Sequence, residues 1–275
     1  MNPLIGAAAR LATPLLLAAM GGVVSEKSGV AQLALEGMML VGAYTAVAAG
    51  GGVAGIGAAV VVAACAGGAM GALIEKARAP AILAGVGGSL LAAGVTTYLL
   101  RLHGATGLHT LKVVPSELFL ALATASVVAV SVTLGRTPVG LRLRACGENP
   151  VAAAAAGIPV ARMRIVAVSV AGGLAGCAGA ALSLARLGEF SENMTNGRGY
   201  LALVAVLLGR WKPVSVAGAA LLFGFGDALQ LWMRNEGSSI PADLQELLPY
   251  AAALVALAWG RRGTGEPKSL ARDGA

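Results

Sequence analysis

The stretch GVAGIGAAVVVAACAGGAMGALI, from Gly52 to Ile74, decides what kind of molecule this is. It holds no charged residue and exceeds the roughly 20 apolar residues needed to cross a hydrocarbon layer. Similar apolar runs occupy 4–24, 30–49, 80–100, 113–134, 164–186, 213–233 and 246–260. A further run, 199–209, has about half the required length and reads as a half-helix or re-entrant segment. Composition agrees: 57% of the 275 residues are hydrophobic and 12% are charged. Soluble domains carry about a quarter charged residues. Disorder, a collagen-like repeat and an ordinary cytosolic domain are therefore excluded. The expected fold is all-α, a polytopic transmembrane bundle of about 8–9 membrane segments including a half-helix. One membrane domain is expected over 1–260, followed by a tail at 261–275.

The formal charge is +7, from 20 Lys and Arg against 13 Asp and Glu. In a membrane chain such an excess sits in cytoplasmic loops and sets orientation, so no nucleic-acid partner is expected. The segment 135–164 carries Arg136, Arg142, Arg144, Arg162 and Arg164 against Glu148. The tail carries Arg261, Arg262, Lys268 and Arg272 against Glu266 and Asp273. The positive-inside rule places both, with Arg210–Lys212, in the cytoplasm. The loop 101–112 disagrees, since alternation makes it external although it carries Arg101 and Lys112 without an acid.

Arg10 is the only early positive charge and lies inside the first apolar run, which reads as a retained membrane segment rather than a removable leader. Cys65, Cys146 and Cys177 lack metal-site spacing and read as small buried thiols. The pairs Gly51/Gly55, Gly67/Gly71 and Gly172/Gly176 have the spacing that lets membrane helices approach closely. Trp211, Trp232 and Trp259 fall near expected membrane boundaries, as interface anchors do. His103 and His109 read as exposed loop residues.

Within 135–164, Asn149 is placed to cap a short helix with Pro150 in its first turn. Gly157 is its stop, and Pro159 prevents continuation. Such a helix between membrane segments is either a plain structured loop or a rigid knob for docking a cytoplasmic partner. The run GENPVAAAAAGIPVARMR (Gly147–Arg164) resembles the coupling region of ATP-binding-cassette (ABC) importer permeases of the ribose, branched-chain amino acid and simple-sugar group. SGVAQLALEGMMLVGAY (Ser28–Tyr44) resembles an early segment of that group. FSENMTNGRGYLALVAVLLGRWKP (Phe190–Pro213) and LLFGFGDALQL (Leu221–Leu231) are similar to its nucleoside-type members.

This resemblance implies a permease subunit, the shorter of two homologous ones, more often in a heterodimer than a homodimer. It implies cytoplasmic ABC ATPase subunits, an extracytoplasmic solute-binding protein and a multi-pass location in the plasma membrane. The solute implied is a nucleoside or related simple sugar. Coupling is expected through Gly147, Glu148, Asn149, Pro150 and Gly157. The chain has no GxxxxGK[ST] sequence to cradle phosphates, so ATP and Mg are expected on the partner ATPases and no cofactor on this chain. An ion-gradient-driven transporter is the alternative, but it leaves the capped basic loop without a role. No HExxH or GxSxG supports an intramembrane enzyme.

Several polar residues inside apolar runs are candidates for the substrate pathway. Glu36 is an intramembrane acid beside Gly37, which is expected to break the helix. It reads either as a carboxylate bonded to backbone amides or as a pathway group. Asp227 and Gln230 share a helix face and suit either ribose hydroxyls and base edges or an interhelical bridge. Asn193, Thr195, Asn196 and Arg198 lie in the polar SENMTNGRG directly before the half-helix, where a solute site, an external loop and a simple turn are all compatible with the residues.

Overall fold

A computed structural model describes residues 3–102, 108–110, 112–185 and 188–235, with Pro267 and Leu270. The expected span 246–260, most of the tail, His103 and Trp259 lie outside the described residues. The chain forms α1 (Pro3–Lys27), α2 (Leu35–Ala48), α3 (Gly52–Lys76), α4 (Ala81–Leu102), α5 (Ser116–Arg136), α6 (Pro138–Glu148), α7 (Pro150–Ala155), α8 (Val160–Leu184), α9 (Arg198–Leu208) and α10 (Pro213–Asn235). Among the described residues α1, α3, α4, α5, α8 and α10 are long and apolar enough to cross a membrane, while α2 and α9 are shorter. Prolines mark helix starts: Pro80, Pro115 and Pro159 precede α4, α5 and α8, and Pro138, Pro150 and Pro213 open α6, α7 and α10. Their fixed φ suits a first turn, and their missing N–H is one that a first turn leaves unpaired.

The expected full span 30–49 is corrected. Only Leu35–Ala48 is helical, and 28–34 is turn and coil. Polar groups make the interruption tolerable in an apolar setting. The Ser25 hydroxyl donates to the Val30 carbonyl at 3.0 Å, and the Ser28 hydroxyl donates to the Ser25 carbonyl at 2.6 Å. Gly29 supplies a φ of +92°. Gly37 does not break the helix; it lies in the first turn of α2, where a Cβ would stand 2.7 Å from Ser89 Cα on α4.

Hydrogen bonds fix which helix ends lie together. Arg164, at the start of α8, pairs with Glu75 near the end of α3 at 2.9 Å and donates to the Ser28 carbonyl just after α1. Gly147 of α6 packs on the backbone of Lys27. At the opposite end the Gly52 N–H donates to the Lys112 carbonyl at 2.8 Å, and the Val114 N–H to the Leu184 carbonyl at 3.0 Å. There β1 (Leu108–His109) pairs antiparallel with β2 (Glu189–Phe190), and Phe190 meets Tyr44 edge-on at 5.5 Å.

These contacts relate α1, α2 and α3 to α8, α9 and α10 in opposite directions. α8 packs against α3 and α2, as α1 packs against α10 and α9, and α1 and α8 meet each other. The arrangement is that of an inverted repeat with one short, interrupted segment in each half. Small residues permit the close crossings. Gly67 of α3 faces the Val168 backbone, and Gly176 of α8 faces the Ala59 backbone. Hence Gly67/Gly71 and Gly172/Gly176 lie in one interface, α3 against α8. Gly51 precedes α3 rather than lying within it, and Gly55 packs on the Ala46 backbone of α2.

The misfit at 101–112 also finds a reason. Arg101 lies 3.6 Å from Glu192, and both are exposed at the end that also holds Glu117 and Glu189. Acids from other segments therefore balance that loop. Cys146 and Cys177 are buried, but Cys65 is exposed on α3, which corrects the reading of three buried thiols.

A Cβ on Gly176 would stand 2.5 Å from the Ala59 carbonyl oxygen, whereas one on Gly57 meets open space. Gly176→Val should destabilise the bundle by about 1–3 kcal/mol or more through overpacking. Gly57→Val should be neutral. Thermal melting of the purified, detergent-solubilised variants, read by size-exclusion chromatography, checks the contrast.

Candidate functional site

The two interrupted segments meet at Glu36. This residue is 6% exposed, in the first turn of α2. Its carboxylate accepts the Thr195 hydroxyl at 2.5 Å, the Gly197 N–H at 2.9 Å and the Gly199 N–H at 2.6 Å. The last two groups belong to the N-terminal turn of α9, where helix amides have no intrahelical acceptor. A carboxylate there also meets the positive end of the helix dipole. Burying a charge costs several kcal/mol, and hydrogen bonds to a charged group return about 1.5–3 kcal/mol each. Three such bonds offset the penalty. Gly199 is required for the approach, since a Cβ there would lie 2.5 Å from the Glu36 backbone nitrogen.

The structure thus brings together Glu36 and Thr195, which are 159 positions apart. Thr195 is fully buried. Asn193 and Asn196 are exposed and adopt positive φ of 54° and 44°, which asparagine tolerates better than most residues. They shape the turns that lead 191–197 into the bundle, where the Asn196 N–H donates to the Asn193 carbonyl at 3.0 Å. Arg198 lies 3.9 Å from Asp227 of α10. Both are partly buried, and Gln230 stands one turn further along α10, also half-buried.

At the other end, Asn149 Oδ1 accepts the Ala152 N–H at 3.1 Å and caps α7. Pro150 opens that helix, and Gly157 follows it with φ +79°. Glu148 is exposed at the end of α6, whereas Gly147 is buried against Lys27. Val151, Ala152, Ala154 and Ala155 of α7 stand out of the bundle, with Val151 73% exposed, while Ala153 is buried. The segment before α7 is not a loop but α6, capped by Thr137, whose hydroxyl oxygen accepts the Gly140 N–H at 3.1 Å. Thr137-Pro138, a capping residue followed by an N1 proline, was the signal for it. Burial in α6 pushes the Cys146 thiol up, so it is not a reactive thiolate. Among the described residues no three His, Cys, Asp or Glu are grouped to hold a metal ion.

Two further features escaped the sequence. Glu26 is 4% exposed and accepts the Trp211 indole N–H at 2.5 Å. Trp211 is therefore a buried brace after α9 rather than an interface anchor, while Trp232 is 51% exposed. Arg164, counted above with the loop charges, is spent on Glu75 and Ser28 inside the fold. Neither partner sits at a helical spacing that a sequence pattern reveals.

A polytopic bundle with paired broken segments and a protruding capped helix is the frame of a transport subunit, and comparison with known proteins agrees. The chain matches the family described as branched-chain amino acid transport system / permease component over residues 4–257. It is similar to the guanosine ABC transporter permease protein of Bacillus subtilis, with 33% identity over 90% of this chain and 88% of the relative. It is 35% identical to a putative glucose ABC transporter permease protein of Haloferax volcanii, over 87% of this chain and 80% of the relative. A nucleoside ABC transporter permease protein of Lactococcus lactis subsp. cremoris is 29% identical over 90% and 88%. No solved structure matches significantly. These relatives favour the ABC permease over the ion-driven alternative. The chain belongs to the branched-chain amino acid transport system / permease component family, as a multi-pass membrane permease of an ABC transporter and not an enzyme.

Proposed function

We propose that this chain forms the translocation pathway of an importer for nucleosides or related simple sugars, as the shorter of two homologous permeases in a heterodimer. The observation that carries the reading is the junction of two broken segments at Glu36, with Arg198 and Asp227 beside it. Broken helices meeting inside the membrane are the common device for exposing polar groups to a solute. The names of the guanosine and nucleoside relatives support the solute class. Glu36 and Thr195 brace the junction; Arg198, Asp227 and Gln230 face the solute, and Asn193 and Asn196 border its entry. A solute-binding protein delivers the solute to the end that carries β1 and β2.

The α7 end faces the cytoplasm, and with it the tail. Supporting this is the concentration there of Lys76, Arg78, Arg136, Arg142, Arg144, Arg162 and Lys212. Gly147, Glu148, Asn149, Pro150 and Gly157 form the contact with ATPase subunits, which bind ATP and Mg. The chain itself holds no cofactor.

Purified alone in nanodiscs, the chain should release no phosphate from ATP. Co-expressed with ATPases, a second permease and a binding protein from its own operon, it should support nucleoside uptake that persists with an uncoupler. Uptake abolished by the uncoupler would reject the reading. Asn149→Ala combined with Glu148→Lys removes a cap of about 1 kcal/mol and a charge near the dipole of α7. This variant should insert normally yet lose uptake and solute-stimulated ATP hydrolysis together.

Glu36→Ala leaves the Gly197 and Gly199 amides without their acceptor and should lower folded yield, because each orphaned buried donor costs about 1–3 kcal/mol. Asp227→Asn should preserve assembly and cut uptake on the order of tenfold, the equivalent of losing about 1.4 kcal/mol of binding. Fluorescence-detected complex yield and radiolabelled uptake separate the two variants. Equal losses of assembly would remove Asp227 from the pathway.

A further inference from the structure

A cavity of about 350 Å³ opens between α1, α5, the end of α8 and the start of α9. It lies within the size range of small-molecule sites, roughly 300–1,000 Å³. Arg10 and Arg198 line it, together with Pro14, Ser116, Leu182 and Ala185. The lining includes the start of α5 and the residue after α8, so the cavity belongs to the end opposite α7, where solute would enter. Arg198 is held near Asp227, but no ion pair to Arg10 occurs among the described residues. Arg10 is exposed at the mouth of the cavity, near the start of α1, so its guanidinium is open to an incoming solute.

Resting on the nucleoside reading above, we propose that Arg10 and Arg198 form an entry subsite that reads the oxo edge of a nucleobase, and so favours 6-oxopurine over 6-aminopurine nucleosides. A guanidinium offers only donors, in a planar fork. Its natural base partner is the O6/N7 edge of an oxopurine, where two parallel bonds form. An adenine amino group at the same place presents a donor to a donor, and the fork loses its partner. The apolar wall of Pro14, Leu182 and Ala185 suits a base face.

The test uses the assembled transporter in nanodiscs without its solute-binding protein, so that receptor selectivity does not enter. Equilibrium binding of labelled inosine and adenosine is measured, since these differ at the six-position edge. The parental complex should bind inosine about tenfold more tightly, within the discrimination expected of a bidentate pair. Arg10→Gln should bring the ratio close to one. Arg10→Lys, which keeps a point charge but not the fork, should do the same, and serves if the glutamine variant assembles poorly. Equal binding of the two nucleosides by the parental complex overturns the proposal, as does a ratio unchanged in Arg10→Lys. Tighter binding of inosine 5′-monophosphate than of inosine makes the pair an anion site and overturns it too. Nucleoside binding without discrimination leaves the proposed function standing, whereas absence of any nucleoside binding or uptake rejects both.

Discussion

Glu36 accepts two backbone N–H groups and one hydroxyl at the point where both interrupted membrane segments stop being helical. Unpaired backbone groups are costly away from water, so a broken helix survives there only with replacement partners. One carboxylate supplies them for α9, while the hydroxyls of Ser25 and Ser28 do similar work around the break before α2. Because α2 and α9 belong to opposite halves of the inverted arrangement, this contact also ties those halves together. The positions of Arg198 and, through it, of the Asp227 pair follow from where Gly197 and Gly199 are held.

Around that junction the bundle is assembled by the absence of side chains as much as by their presence. α3 and α8 cross closely because glycine faces backbone on both sides, at Gly67 against Val168 and Gly176 against Ala59. Lipid tails are as apolar as leucine, so burial from water does not drive such contacts, and close van der Waals packing does. The apolar residues that remain exposed on α3, α4 and α5, such as Val61, Leu90 and Val128, are those expected to face lipid.

The end with α6 and α7 is built differently. There a cap, two first-turn prolines and buried Gly147 produce a protruding helix on a rigid base. Arg164, paired with Glu75 and bonded to the Ser28 carbonyl, locks the root of α8 to the ends of α1 and α3. A push on α7 would therefore reach the core through packed elements rather than a slack loop. The same end carries the basic surplus, whereas at the opposite end Arg101 is balanced by Glu192.

Most of the fold was legible along the chain. Long apolar runs fix where helices lie because a bilayer has a set thickness, and α9 was readable as a half-length segment for the same reason. The cap of α7 was equally local: Asn149, Pro150 and Gly157 act on neighbours within one turn. The break before α2 was not readable, because 28–34 is apolar enough to extend a span and its interruption depends on serine hydroxyls folding back. Glu36 was identifiable as anomalous from its surroundings, but its partners at 195–199 lie far along the chain. The same holds for Glu26 with Trp211 and for Arg164 with Glu75. Hydropathy and capping are interactions with solvent and near neighbours, so the sequence by itself determined them. Which buried charge meets which donor depends on how helices from the two halves cross, and only the tertiary structure decided that.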